Sequence, residues 1–242
     1  MKKFIGAAML VGAAVAGTSG VAHAETTVSG NVAFTSDYVW RGLSQSGNDF
    51  AVQGGADASI DEFYVGTWAS SVDFGTGGSN TELDLYAGWK PTTGPVSWDF
   101  GAIGYFYAGS TDAIGDLDFY ELKGVGSFAP FGDSMPLTLT GSVYYTPDFS
   151  TFTDSSGGDV TGLYGEVKAS YAFSDAFTLN GSWGSQNVDD VGAYTNYKID
   201  GAYSAYGFGF DLAWTSTDNA EEFVGGSNIG DDKIILTVSR AL

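Results

Sequence analysis

Glu82 and Asp84 stand two residues apart in TELDLYAGW, so an extended chain turns both carboxylates to the same side. Such a pair resembles the acid/base couple of glycoside hydrolysis. Acidic walls supply pairs of this kind routinely, however, and no second catalytic group accompanies this one. A serine hydrolase needs a base to activate its nucleophile. The single histidine, His23, lies in an N-terminal segment that reads as removed, and the chain has no cysteine. Asp154–Asp159 (DSSGGD) and Asp231-Asp232 offer oxygen ligands suited to Ca²⁺ but lack the spacing of an EF-hand loop. No catalytic, cofactor-binding or metal residue is assigned, and no cofactor or enzymatic activity is expected.

A second group of charges sits in Ser36–Ser46, SDYVWRGLSQS, where Asp37 and Arg41 flank Tyr38, Val39 and Trp40. Read as a strand, the segment turns Asp37 and Arg41 to one face and Tyr38 and Trp40 to the other. The two charges are then about 13 Å apart along the chain, too far for a local ion pair. Each is expected to pair with a neighbouring strand.

The elements that would position these charges follow from the rest of the chain. Met1-Lys2-Lys3, an apolar run over Phe4–Ala16 and Ala22-His23-Ala24 have the form of a signal peptide cleaved after Ala24. Residues 1–24 are therefore expected to be a signal peptide and 25–242 one exported domain. Removing Lys2 and Lys3 leaves 7 of the 9 basic residues against 29 acids, a formal charge of 7 − 29 = −22. That balance argues against a nucleic-acid partner. The absence of cysteine excludes disulfides and thiolate metal sites. No stretch of the mature chain is apolar over about 18 residues, and none repeats at helical spacing.

Period two dominates instead. In the first strand Val28, Gly30, Val32 and Phe34 alternate with Thr27, Ser29, Asn31, Ala33 and Thr35, giving one apolar and one polar face. Strands are expected near 26–40, 50–60, 62–73, 81–90, 96–109, 117–129, 137–148, 162–173, 177–188, 194–205, 207–217 and 233–242. Short turns alternate with longer acidic or Gly/Ser-rich loops, as in outer-membrane barrels. Trp89, Trp98, Phe128, Phe131, Phe173, Phe177, Tyr206 and Phe208 gather at the short turns. Tyr38, Trp40, Trp68, Tyr107, Tyr120, Tyr145, Trp183, Tyr197 and Trp214 gather at the opposite ends, and together they read as two interfacial belts. A secreted β-sandwich is the alternative, but it hides its apolar faces and does not call for aromatics at strand ends.

On the barrel reading the polar face lines the interior. The candidate lining residues are Asp37, Arg41, Asp57, Glu82, Asp84, Lys90, Asp99, Glu121, Lys123, Glu166, Lys168, Lys198, Asp200 and Asp211. Lys233 shares that face, and Arg240 alone among the mature bases points outward. A surplus of inward acid favours cations. The same charges could instead pair across a filled interior and close the barrel, and twelve strands leave both outcomes open.

SDYVWRGLSQS, with AVQGGAD at 51–57 and FYVGTWASSVDF at 63–74, resembles the TorF family, exported proteins grouped as candidate porins. The likeness runs from about Val28 to the end of the chain and is carried best by Asp37-Tyr38-x-Trp40-Arg41-Gly42 with Ser44-Gln45-Ser46. It implies an outer-membrane β-barrel with a channel role and names neither a solute nor a catalytic residue. The last strand, KIILTVSRAL, departs from the aromatic C-terminus usual in such barrels by ending in Leu242.

The expected fold is thus all-β: a single transmembrane, antiparallel, up-and-down barrel of about 12 strands, with 10 or 14 as alternatives. The expected function is an outer-membrane porin of a Gram-negative cell envelope, passing small polar solutes or ions with a preference for cations. Its partners would be outer-membrane lipid, those solutes or cations, and the barrel-insertion machinery. The alternative is a closed barrel with a structural or surface-binding role for its acidic loops.

Overall fold

The structure, a computed structural model, describes residues 26–75, 78–108, 117–149, 152 and 157–242. The expected signal segment 1–24 and Asp154 lie outside the described residues.

Twelve long strands make the wall. They are β1 (Thr26–Thr35), β2 (Ala51–Ile60), β3 (Phe63–Ser71), β4 (Thr81–Trp89), β5 (Val96–Ala108) and β6 (Phe119–Phe128). The second half supplies β7 (Leu137–Thr146), β8 (Gly162–Ala172), β9 (Phe177–Val188), β10 (Gly192–Ala205), β11 (Phe208–Asp218) and β12 (Lys233–Ala241). Every neighbouring pair is antiparallel, and β12 returns to β1 with Asn31 opposite Ala241 and Thr35 opposite Thr237. The sheet therefore closes on itself and leaves no edge, as an antiparallel barrel requires. The all-β, twelve-strand expectation holds.

Closure gives the period-two pattern two distinct destinations. Along β4, Leu83, Leu85 and Trp89 are exposed on the outside while Glu82 and Asp84 are buried within. The same inversion recurs around the wall: Val65, Leu122, Val167, Ile199 and Leu212 are each more than half exposed, whereas Glu121, Gln186 and Asn196 are 0–4% exposed. A soluble sandwich would bury the first set and expose the second. Arg240 faces outward, with its guanidinium 5.0 Å from the Phe208 ring centre, so its stem covers apolar surface while its charge sits near the strand end.

One end of the barrel carries tight connections. Asp61-Glu62 joins β2 to β3, and Tyr206-Gly207 joins β10 to β11. Tyr206 (φ 55°) and Gly207 (φ 78°) both take positive φ, as the two-residue hairpin turn that matches strand twist demands. The other end carries the longer segments 36–50 and 219–232, together with the described residues 147–149, 152 and 157–161. Phe149, Val160 and Val188 form a small buried cluster there, with Trp40, Phe152, Val191 and Phe223 packed against it.

The first strand departs from expectation. β1 stops at Thr35 rather than continuing to Trp40. Ser36 still bonds to the Leu236 carbonyl of β12, but the chain then leaves the wall and turns inward. Alternation assigns faces only while a strand remains paired, so the parity of Tyr38 and Trp40 had no bearing on their final direction.

Candidate functional site

The inward segment is a hairpin built from SDYVWRGLSQS. Val39 pairs with Ser44 and Trp40 with Leu43, leaving Arg41-Gly42 as a two-residue turn. Arg41 (φ 50°) and Gly42 (φ 84°) both adopt positive φ, the signature of a hairpin turn that follows strand twist. Glycine at position 42 also allows close approach to the wall. A Cβ there would lie 2.5 Å from Thr217 Cγ2 and 2.8 Å from Asn196 Cβ.

Asp37 fastens the base of the hairpin. Its Oδ1 accepts from Ser44 Oγ at 2.6 Å and lies 3.0 Å from Ser46 Oγ. Gln45 N–H bonds back to the Tyr38 carbonyl, and Asp73 N–H bonds to the Gln45 carbonyl. Asp37 is therefore buried in its own loop rather than paired to a neighbouring strand.

Arg41 carries the tip to the opposite wall. β1 and β7 are six strands apart in a ring of twelve, and Arg41 meets residues of β6, β7, β8 and β9. Nη1 and Nη2 donate to Glu121 Oε1 and Oε2 at 2.9 and 2.8 Å, and Nη1 also donates to Gln186 Oε1 at 2.8 Å. Glu121 is completed by Thr146 Oγ1 at 2.9 Å and Tyr105 Oη at 3.0 Å. The guanidinium lies 4.1, 4.2 and 5.0 Å from the ring centres of Trp40, Tyr164 and Tyr144. Side-chain exposure is 6% for Arg41 and 0% for Glu121, so each charge is compensated almost wholly by protein. A planar guanidinium suits this task because it bonds in its plane and stacks on its faces.

Tyr38 and Trp40 are corrected from belt residues to interior ones. Tyr38 Oη donates to Glu82 Oε1 at 2.7 Å, and its ring meets Trp68 edge-on at 5.2 Å. Trp40 packs against Tyr105 and Phe119. Trp68 and Tyr107 are likewise interior, since Trp68 packs on Tyr38 and Tyr107 bonds to Glu82. Tyr120, Tyr145, Trp183 and Trp214 do face outward.

The other candidate residues fall on the inner wall in three groups. Asp57, Glu82 and Asp84 occupy β2 and β4, with Tyr86 Oη donating to Asp57 Oδ1 at 2.8 Å. Asp99 and Lys123 form an ion pair at 2.9 Å near the short-turn end, beside Tyr64, whose Oη donates to Asp99 at 2.7 Å. Lys90 is exposed there, with Nζ 4.3 Å from the Tyr64 ring centre. Across the interior, Lys198 lies 3.2 Å from Asp200 and 3.9 Å from Asp211, while Glu166 accepts from Tyr164 Oη at 3.1 Å. Lys168, half-buried on β8, shares the inward parity of Glu166.

Sequence reasoning missed the inward tyrosines. Tyr38, Tyr64, Tyr86, Tyr105 and Tyr164 each donate to a carboxylate. For Tyr86, Tyr105 and Tyr164, parity with an acid of the same strand is the available signal. Below the hairpin the interior keeps a cavity of about 440 Å³, whose lining includes Arg41, Tyr144, Glu166, Asn196, Lys198 and Asp211. No group of acidic side chains among the described residues is arranged to hold a metal ion.

Solved structures share this architecture. The NanC porin aligns with a TM-score of 0.59 at 9% identity, covering 88% of this chain and 98% of its own. The KdgM porin aligns with a TM-score of 0.54 at 8% identity, covering 88% and 97%. At such identities the likeness establishes the barrel fold alone. No curated protein matches the chain in sequence. Residues 19–242 match the family described as a bacterial protein of unknown function, Gcw_chp, and the chain belongs to that family.

Proposed function

We propose that the protein is an outer-membrane channel that passes small polar solutes or ions and prefers cations. The observation that carries this reading is the inversion of the wall, with aliphatic and aromatic side chains outside and carboxylates, lysines and tyrosines inside. A continuous exposed apolar surface is stable in lipid, and a closed sheet satisfies its backbone there without water. The porin folds of the structural neighbours and the TorF resemblance of the opening segment point the same way, as does the signal-like N-terminus for export.

The cation preference rests on charge. Of the fourteen candidate residues, Asp37, Asp57, Glu82, Asp84, Asp99, Glu121, Glu166, Asp200 and Asp211 are acids and five are bases. We place all fourteen along the solute path, with Asp37 and Arg41 on the hairpin that narrows it. Planar-bilayer recording of the purified protein tests the proposal. Discrete conductance with a reversal potential displaced toward the cation supports it, and silence across salt concentrations overturns it.

A second reading has one observation in its favour. At the long-loop end the hairpin and the Phe149 cluster cover the interior, leaving Glu82, Glu121 and Gln186 no more than 2% exposed. A barrel held shut in this way would serve a structural or surface-binding role. It would give no conductance, while deletion of the acidic 219–232 loop would remove a surface phenotype.

A further inference from the structure

The long-loop end of the barrel is shut all the way round. From Thr35 on β1 to Ile235 on β12, every strand has an inward residue near that end that is at most 7% exposed. Deeper in the barrel exposure returns, with the side chains of Lys123, Asp99 and Lys198 at 15, 21 and 43%.

The cover has two layers. The lower one is the Arg41 hairpin, fixed to the far wall by a buried ion pair. The upper one is segment 219–232, which carries a short helix, α1 (Glu221–Val224). The Phe223 ring of α1 meets Tyr194 edge-on at 4.7 Å and Phe152 at 5.7 Å, against the cluster of Phe149, Val160 and Val188. A Cβ on Gly230 would lie 3.3 Å from Leu43 Cδ2, so the second half of the segment rests on the hairpin. Asn48 Nδ2 donates to Asn228 Oδ1 at 3.0 Å, an exposed bond just beyond the hairpin.

The two layers are held differently. Freeing the hairpin breaks buried charge contacts, whereas the segment bonds to itself and to the strand it continues. Phe223 and Val224 N–H donate to the Ala220 carbonyl, Gly225 N–H donates to Glu221, and Thr217 Oγ1 of β11 donates to the Gly230 carbonyl. Positive φ at Asn219 (62°), Gly225 (58°) and Gly226 (79°) brackets α1 with sharp bends, and hinges are built from a few such loop residues. Lifting the segment uncovers Phe149, Val160 and Val188, so water favours the shut state. An apolar constriction of this kind bars ions until it parts.

We infer that segment 219–232 is a lid that gates the long-loop mouth, with Phe223 as the latch that seats it. The lid opens ahead of the hairpin, because its departure breaks no buried ion pair. Its gating role rests on the channel reading, whereas its movement does not.

The chain has no cysteine, so one introduced thiol reports on the lid without background. Val188→Cys places it on a residue 1% exposed, in the cluster that Phe223 packs against. Val160→Cys gives a second reporter in the same cluster. The folded full-length protein in detergent is treated with a charged maleimide, and gel mobility shows whether the barrel stays folded. Slow, complete labelling of the folded protein is expected, about tenfold faster when Phe223→Ala removes the ring contacts of the latch. Phe223→Leu, which keeps an apolar seat, should fall between. Thiols that react only when the barrel unfolds, or at the same rate with and without Phe223, overturn the lid. Single-channel recording separates the lid from the channel. A larger open fraction in Phe223→Ala supports gating, and an unchanged one refutes it. Faster labelling with no conductance in any variant upholds a moving lid and refutes the channel.

Discussion

Arg41 and Glu121, eighty residues apart in sequence, form a bidentate ion pair at 2.8 and 2.9 Å that ties a loop from one side of the barrel to the opposite wall. The guanidinium's hydrogen bonds to Glu121 and Gln186 reach other strands, while Trp40 of its own hairpin covers one face. The pair therefore holds the hairpin across the interior rather than bracing the wall itself.

Removing Glu121 should release the hairpin. Leaving one member of a buried pair uncompensated costs about 3–5 kcal/mol, and with Glu121→Ala that cost is avoidable if Arg41 swings out to water. The Arg41–Gly42 bond should then become cleavable by trypsin in the folded barrel, whereas the parent is protected. Mass spectrometry of the digest reads this directly, and an uncut variant would mean that the tip stays docked without its partner.

Gly42→Ala tests the turn separately from the charge. The residue sits at φ 84°, and the added Cβ meets Thr217 and Asn196 well inside contact distance. Backbone strain of this kind costs about 1–3 kcal/mol. Because the wall does not depend on the hairpin, barrel unfolding followed by gel mobility on heating should shift little, while trypsin protection at Arg41 falls. Equal loss of both would make the hairpin part of the wall's stability.

Ion selectivity should respond to both charges of the opening segment in opposite directions. Arg41→Gln leaves Glu121 without its cation and should raise the cation-to-anion permeability ratio. Asp37→Asn removes an acid from the same hairpin and should lower it. Reversal potentials in a tenfold salt gradient decide, and unchanged ratios in both variants would assign the motif a purely structural role.

The outward face is expected to reject charge. Val167 is 58% exposed in the middle of β8, and an arginine there should cost about 2–4 kcal/mol if lipid covers it. Gln53→Lys, inward on β2, should be tolerated because its ammonium stays on the polar interior face that also carries Asp57, four residues on. Folded fractions after refolding into lipid vesicles compare the two. Equal yields would remove the case for a lipid-facing wall.

The sequence by itself determined the wall. Period-two alternation in TELDLYAGW or GLYGEVKAS sets Glu82, Asp84, Glu166 and Lys168 against Leu83, Leu85, Leu163 and Val167, whatever the strand's neighbours are, because a paired strand must send successive side chains to opposite faces. Short turns such as Asp61-Glu62 and Tyr206-Gly207 then fix which strands adjoin. What only the tertiary structure decided is the fate of SDYVWRGLSQS. Its alternation continues that of β1, but its pairing with the wall ends at Thr35, and beyond that point direction is set by distant partners. Glu121 and Gln186 lie 80 and 145 residues away from Arg41, and no local pattern encodes which of several inward acids it will reach. Tyr38 and Trp40 followed the charge inward, since Glu82 accepts the Tyr38 hydroxyl and Tyr105 and Phe119 cover the Trp40 ring. A strand carries its own rule for faces, whereas a loop takes its position from the groups that satisfy it.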